Sequence, residues 1–225
     1  TPTDASETQA RIDADWIDEQ GNAYNYRDDV ISILYMGIDY MGDEKNWFYA
    51  TESNGGNADV IGLVILDTRT FDFSMLYIPR DTMADVIAMD ANGQYLDTVY
   101  TNISTAHSYG DGKDLSCRLT TDAVSRLLYG APVSRYVALD YDALYTLNDL
   151  IGGLTITFDD DYTEIHSTFT KGSTVTLNRW YMDKFITYRS ETDLEGAYKR
   201  GMRSMAVMKA LFNQCKGKIV ADPAV

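Results

Sequence analysis

A single α/β domain, with a mixed central β-sheet sandwiched between helices, is predicted by three observations. Two runs, ISILYMGI (31–38) and DVIGLVIL (59–66), are apolar at consecutive positions, as strands covered on both faces are. FDFSMLYIP (71–79) is apolar at every second position and stops at a proline, which reads as a third strand. Beyond residue 110, segments with helical spacing alternate with short strand-like runs, the order that layers helices on a sheet. The chain divides into a polar, acidic leader (1–29), the domain itself (30–217) and a short tail (218–225).

The elements follow in order. The first apolar run gives one strand and the second another; between them, DYMGDEKNWFYATESNGGNA (39–58) is a polar Gly/Asn-rich loop, long for a compact domain. The DTRT turn (67–70) predicts a hairpin between the second and third strands. DLSCRLTTDAVSRLLYG (114–130) predicts a helix capped by Asp114 and ended by Gly130. SRYVAL (134–139) is a short strand, Asp140 caps a helix that stops at Gly152–Gly153, and LTITF (154–158) is a further strand. That strand–helix–strand succession favours parallel pairing of its two strands. FTKGSTVTL (169–177) reads as a turn and an edge strand, and Asn178 caps a helix reaching Tyr188. A long helix from Leu194 to Lys216 carries Gly201, Met205, Met208, Phe212 and Cys215 on one face and ends at Gly217.

Thirty-four acidic against nineteen basic residues leave a net charge of −15. A nucleic-acid binder needs a basic footprint to displace phosphate counterions, so nucleic acid is excluded as a first expectation. A small phosphorylated ligand is not, because screening over about 8 Å lets a local arginine cluster govern its own pocket. Length and composition suit one domain with a sizeable core. No apolar run reaches the roughly 20 residues of a membrane span, and the leader reads either as the boundary of an expressed fragment or as a stalk downstream of a removed segment. Cys117 and Cys215 are too few for a zinc site, and whether they pair is left open. His107 and His166 sit in no hydrolase motif.

Two constellations carry chemistry. Asp39 follows the first strand, Asp59 starts the second, and Arg80 and Asp81 follow the third. If these strands are antiparallel neighbours, two carboxylates and an arginine converge on one sheet edge, a donor set that suits Mg2+ with substrate phosphate. The alternative is that the acids cap turns and Arg80 makes a surface ion pair. The second constellation is basic: Arg189, Lys199, Arg200 and Arg203. Arg200 and Arg203, three apart on a helix, sit about 60° from each other around its axis, so both guanidinium groups can lean into one cleft. A solvated helix edge paired with Glu191, Asp193 and Glu195 is the alternative.

Taken in order, these segments resemble the LytR-CpsA-Psr family of cell-envelope proteins over Ile31 to Lys216. Met36-Gly37-Ile38-Asp39 is similar to its Leu-Gly-Ile-Asp motif, and Asn57-Ala58-Asp59-Val60 to Arg-Ser-Asp-Thr. Tyr77-Ile78-Pro79-Arg80-Asp81-Thr82 is similar to Ser-Ile-Pro-Arg-Asp-Thr, the most specific signature. Tyr109-Gly110 and the segment from Leu150 to Ile156 add to the match.

The resemblance implies a hydrophobic lipid-binding tunnel between sheet and helices. It further implies a phosphotransferase that binds a polyprenyl-(pyro)phosphate-linked glycan, of the teichoic acid or capsule kind, and transfers the glycan phosphate to peptidoglycan with Mg2+. The protein would act at the outer face of the cell membrane, held by an N-terminal anchor that this chain lacks. Asp39 and Asp59 would hold the metal, and Arg80, Arg189, Arg200 and Arg203 the phosphates. Arg80, Asp81 and Arg189 would be the catalytic set, with Asp81 holding Arg80 in place. The chain departs from the family's pattern at Asn57, Asn102, Thr187, Ala197 and Ser204. A catalytically degraded protein that binds polyprenyl phosphate or wall polymer through the same fold is the alternative reading.

Overall fold

The computed structural model describes residues 14–39, 56–90, 92–190 and 195–221. The first part of the leader, most of the long loop after the first strand, and the side chain of Asp39 lie outside the described residues. The second half of the leader forms a small antiparallel pair, β1 (Trp16–Ile17) and β2 (Ala23–Tyr24). Trp16 stacks there on Tyr24 and leans on Tyr129.

The two apolar runs become β3 (Val30–Asp39) and β4 (Asn57–Asp67), antiparallel neighbours, and β4 continues into β5 (Phe73–Ile78) as the expected hairpin. The turn between them is built by Asp67, whose Oδ1 accepts the N–H groups of Arg69 and Thr70 at 2.9 and 3.1 Å. β5 leads into a second hairpin, β6 (Met83–Met89) and β7 (Tyr95–Asn102), and then a 3-10 turn over Ile103–Tyr109. Helix α1 (Asp114–Leu127) precedes β8 (Arg135–Leu139), which pairs parallel with β3. Four strands in the order β5-β4-β3-β8 make a mixed sheet.

Helix α2 (Tyr141–Leu150) starts where Asp140 accepts the Ala143 N–H at 2.7 Å, as its sequence predicts. α3 (Arg179–Thr187) starts on Asn178 in the same way. Between them lie β9 (Leu154–Thr157) and β10 (Thr174–Leu177).

Three expectations are corrected. β9 does not pair parallel with β8; it forms a separate antiparallel ribbon with β10. Buried Asn148 fixes that ribbon, accepting from the Leu154 N–H and donating to the Leu177 carbonyl. Asp114 is the first helical residue of α1, and Asp111 accepts the Lys113 N–H instead. The last helix, α4 (Gly196–Ala221), runs through Gly217, since one glycine costs a helix only about 1 kcal/mol.

Alternation along the sheet separates two cores. Leu34, Met36, Ile61 and Leu63 face β6, the 3-10 turn and α1, while Tyr35 and Val60 face α2, α3, α4 and β9. The sheet therefore lies between helices on both sides. It also separates the cysteines, both free: Cys117 belongs to the first core beside His107, and Cys215 packs against the second. Among the described residues no helix is long and apolar enough to cross a membrane.

Candidate functional site: an arginine pair on a buried carboxylate

The site lies where β3 and β4 end. Register along the two strands runs regularly to Gly37 opposite Val60, then shifts so that Ile38 faces Ala58, leaving Asp59 as an extra residue. Such a bulge re-aims a side chain. Asp59 and Val60, neighbours in sequence, both border one small cavity, with Tyr35, Gly37, Tyr141 and Ser204 among its other walls. Its volume is about 20 Å³, room for a single water. Asp39 ends β3 opposite Asn57, so the two acidic residues expected at one edge do stand on adjoining strand ends.

Pro79 stops β5 and opens a tight turn in which its carbonyl accepts the Thr82 N–H at 2.9 Å. The turn is pinned by the 3-10 segment, where Ser104 and Ile103 donate to the Arg80 and Thr82 carbonyls. Held this way, Arg80 donates through Nη1 to Asp59 Oδ1. Its Nε lies 3.5 Å from Asp81 Oδ1, which places Asp81 beside Arg80 as expected.

Arg200 comes from the second turn of α4 and donates through Nη2 to Asp59 Oδ2 at 3.0 Å. Its approach depends on two glycines. A Cβ on Gly201 would lie 1.9 Å from the Tyr77 hydroxyl, and one on Gly62 would lie 2.6 Å from Met205 Sδ. Without those carbons α4 settles directly on β4 and β5. The result is one carboxylate, 8% exposed, bridging two guanidinium groups that are 29% and 14% exposed. Tyr77 and Tyr198, their rings 5.8 Å apart, flank the pair. Burial raises the Tyr77 phenol above its ordinary pKa, with Arg200 partly offsetting the rise.

The other two arginines go elsewhere. Arg203 is 4% exposed and donates through Nε to the Phe185 carbonyl at 2.7 Å and through Nη2 to that of Tyr188. It ties the end of α3 to α4, and burial draws its pKa below the ordinary value. Arg189 is exposed beyond α3, its stem beside Gly196 at the start of α4. The structure therefore unites Asp59, Arg80, Asp81 and Arg200, leaves Arg189 exposed beside the start of α4, and gives Arg203 to the backbone.

The apolar layer between sheet and helices, where the resemblance puts a tunnel, is filled by side chains such as Leu144, Phe158, Phe185 and Met205. A groove of about 520 Å³ opens at its border between β9 and α4, lined by Ile156, Phe158, Phe185, Ala206 and Ala210 among others. Gln214 is also in its wall, accepting the Thr155 N–H and donating to the Gly153 carbonyl at 3.1 Å each. Sequence reasoning missed this groove because its walls are 50 residues apart and individually unremarked.

The chain is similar to known proteins over most of its length. The chain is 29% identical over 208 residues to the Bacillus subtilis polyisoprenyl-teichoic acid–peptidoglycan teichoic acid transferase TagV, covering 87% of this chain and 48% of that protein. It is 24% identical to the TagU transferase of Bacillus cereus, covering 82% and 52%. The chain thus spans about half the length of these curated relatives. The crystal structure of B. subtilis TagV matches with a TM-score of 0.59 at 25% identity, over 84% of this chain and 66% of that one. YwtF (TagT), solved with bound octaprenyl pyrophosphate lipid, shares the fold with a TM-score of 0.56 at 23% identity, over 84% and 66%. The sequence profile of the LytR_cpsA_psr family matches residues 2–220, and the chain belongs to that family.

Proposed function

We propose that this protein is a cell-envelope phosphotransferase. It would bind a polyprenyl-(pyro)phosphate-linked glycan and transfer the glycan phosphate to peptidoglycan at the outer face of the membrane, anchored by a segment outside this chain. The observation that carries the reading is the convergence of Arg80 and Arg200 on buried Asp59 at the end of the sheet. Guanidinium groups match phosphate oxygens in charge and geometry, and phosphoryl transfer needs mainly positioning and charge neutralisation. The relatives' transferase names and the lipid bound by YwtF (TagT) lend support.

In the reaction a peptidoglycan hydroxyl oxygen bonds to the phosphorus nearest the glycan. The bond from that phosphorus to the bridging oxygen breaks, polyprenyl phosphate leaves, and the hydroxyl proton passes to solvent or to the leaving phosphate. Arg80 and Arg200 orient the phosphates, Asp81 steadies Arg80, and Arg189, exposed beside the start of α4, would meet the outer phosphate or glycan. The apolar groove between β9 and α4 would take part of the lipid tail. Mg2+ commonly takes one or two carboxylates, and Asp59 with Asp39 on the adjoining strand end would hold it. When bound, it would neutralise charge gathering on the phosphate oxygens.

The test is release of polyprenyl phosphate from a lipid-linked glycan in the presence of peptidoglycan and Mg2+. Arg80→Ala should slow release by about a thousand-fold or more, the scale of an arginine acting on a transferring phosphoryl group. Tight lipid binding without release by the unaltered protein would replace the enzyme by the binding protein, and neither binding nor release would refute both.

A further inference from the structure

Tyr129 stands where a helix end favours glycine. After α1 the Gly130 N–H donates to the Ser125 carbonyl at 2.8 Å and the Tyr129 N–H to that of Arg126 at 3.1 Å, the paired bonds that close a helix around a left-handed residue. That residue is Tyr129, with a φ of 58°. A Cβ is disfavoured in this conformation, so glycine usually fills the position. Tyr129 is moreover 74% exposed. Neither backbone preference nor burial accounts for a tyrosine here.

Its ring belongs to a group. Trp16 and Tyr24 of the leader ribbon stack with centroids 5.1 Å apart, and Trp16 meets Tyr129 at 5.5 Å. Tyr26 donates its hydroxyl to the Tyr129 carbonyl at 3.3 Å, and Asp18 accepts the Tyr24 hydroxyl at 3.0 Å. All four aromatic residues are a third or more exposed, so these contacts fix the rings and leave surface open. The face lies far from Asp59. Beyond Tyr129 the chain rejoins β3 where the Ser134 N–H meets the Ser32 carbonyl, about 20 Å of strand from Ile38 at roughly 3.3 Å per residue.

Charge and edges decide what such a face can hold. Between residues 15 and 29 five acids stand against Arg27 alone, which repels anionic lipid, polyphosphate and a second copy of this acidic chain. A neutral pyranose ring meets no such repulsion. It presents C–H groups to the negative face of an aromatic ring, and the hydroxyls round its edge match the Tyr24 hydroxyl, Asp18 and Asn22.

We propose that the face formed by Trp16, Tyr24 and Tyr129 is a second binding site, for a chain of neutral pyranose sugars. That this chain is the glycan of the peptidoglycan acceptor rests on the function proposed above. A strand held here and reacting beside Arg80 gains local concentration from its second attachment.

The test is calorimetric titration of the protein with chitohexaose, a soluble oligomer of such rings, without Mg2+ or lipid. Wild type should bind it saturably. Tyr129→Gly should weaken binding about three- to ten-fold, the scale of one aromatic contact. Its urea midpoint should hold, since relief of the left-handed strain offsets the freer unfolded chain. Tyr129→Leu keeps the strained backbone and an apolar contact for Trp16 but has no ring; it should bind as weakly, and it tests the ring even if glycine loosens the ribbon. In the release assay Tyr129→Gly should raise KM for peptidoglycan at unchanged kcat, as loss of uniform binding does.

No saturable binding by wild type, or equal binding by wild type and both variants, would overturn the sugar site and leave the proposed transferase standing. So would Tyr129-dependent binding to phosphatidylglycerol vesicles, or Tyr129-dependent self-association, in place of sugar binding. The expected sugar binding with an unchanged KM, or with no release of polyprenyl phosphate at all, would uphold the site and overturn only its assignment to the acceptor.

Discussion

Gly201→Ala should disturb the site without touching any of its charged groups. The new Cβ would lie 1.9 Å from the Tyr77 hydroxyl and 2.4 Å from Tyr77 Cζ. Carbon and oxygen rest at about 3.3 Å even in a weak hydrogen bond, so ring or helix must give by about 1.4 Å. Arg200 is the preceding residue, 3.0 Å from Asp59, and a helix retreat of that size ends its hydrogen bond. Alanine favours the helix by about 1 kcal/mol, while overpacking costs about 1–3 kcal/mol. The net expectation is a loss of about 0–2 kcal/mol of stability in urea denaturation, with diphosphate affinity falling about ten-fold, or 1.4 kcal/mol.

A double-mutant cycle with Tyr77→Ala separates steric from other causes. Removing the ring should restore the affinity lost in Gly201→Ala, with a coupling above about 0.5 kcal/mol. If Gly201→Ala alone is more stable by the full propensity gain and binds as tightly as wild type, the argument that close helix approach builds the site is refuted.

Arg203→Lys keeps the charge and loses the fork that grips two carbonyls. Hydrogen bonds from charged groups contribute about 1.5–3 kcal/mol each, so urea denaturation should show a loss of that size while folded protein binds diphosphate nearly as before. Unchanged stability with lost binding would instead make Arg203 a phosphate ligand, as the family resemblance implies. Asp67 should report on acid stability. Backbone N–H groups and Arg27 lower its pKa from 3.8 to about 2, so its contribution is full above the unfolded value and fades as pH falls from about 4 towards 2. The urea midpoint should drop across that window, and Asp67→Asn should flatten the drop.

Much of the fold was legible because local chemistry and burial agree in its centre. β3 and β4 are buried on both faces and read as unbroken apolar runs, and Asp140 and Asn178 cap the helices they precede. The β6–β7 hairpin escaped because β7 is largely exposed and its sequence, YLDTVYTN, carries no apolar face. The pairing of β9 was misread because the crossover rule applies within one sheet, and β10, forty residues on from β8, offered a nearer edge.

At the site, the order of motifs was enough to bring Asp59, Arg80 and Arg200 into one expectation. The bulge that aims Asp59 leaves no mark in NADVIG, because a register shift belongs to two strands and not to one sequence. The resemblance assigned Arg203 to the phosphates, and helical spacing gives only its side of the helix; its carbonyl partners at the end of α3 depend on how two helices dock. Charge and periodicity locate such residues, and packing decides what they hold.

The two ion pairs on Asp59 span 21 residues to Arg80 and 141 to Arg200. A chain emerging during synthesis can close the hairpin half early, since short loops close at little entropic cost. The other half waits for α4. Until then Asp59 is paired with one guanidinium on a half-covered sheet, and ligand affinity becomes a measure of whether α4 has docked. Truncation before residue 200 should leave a chain with all ten described strands and no grip on phosphate.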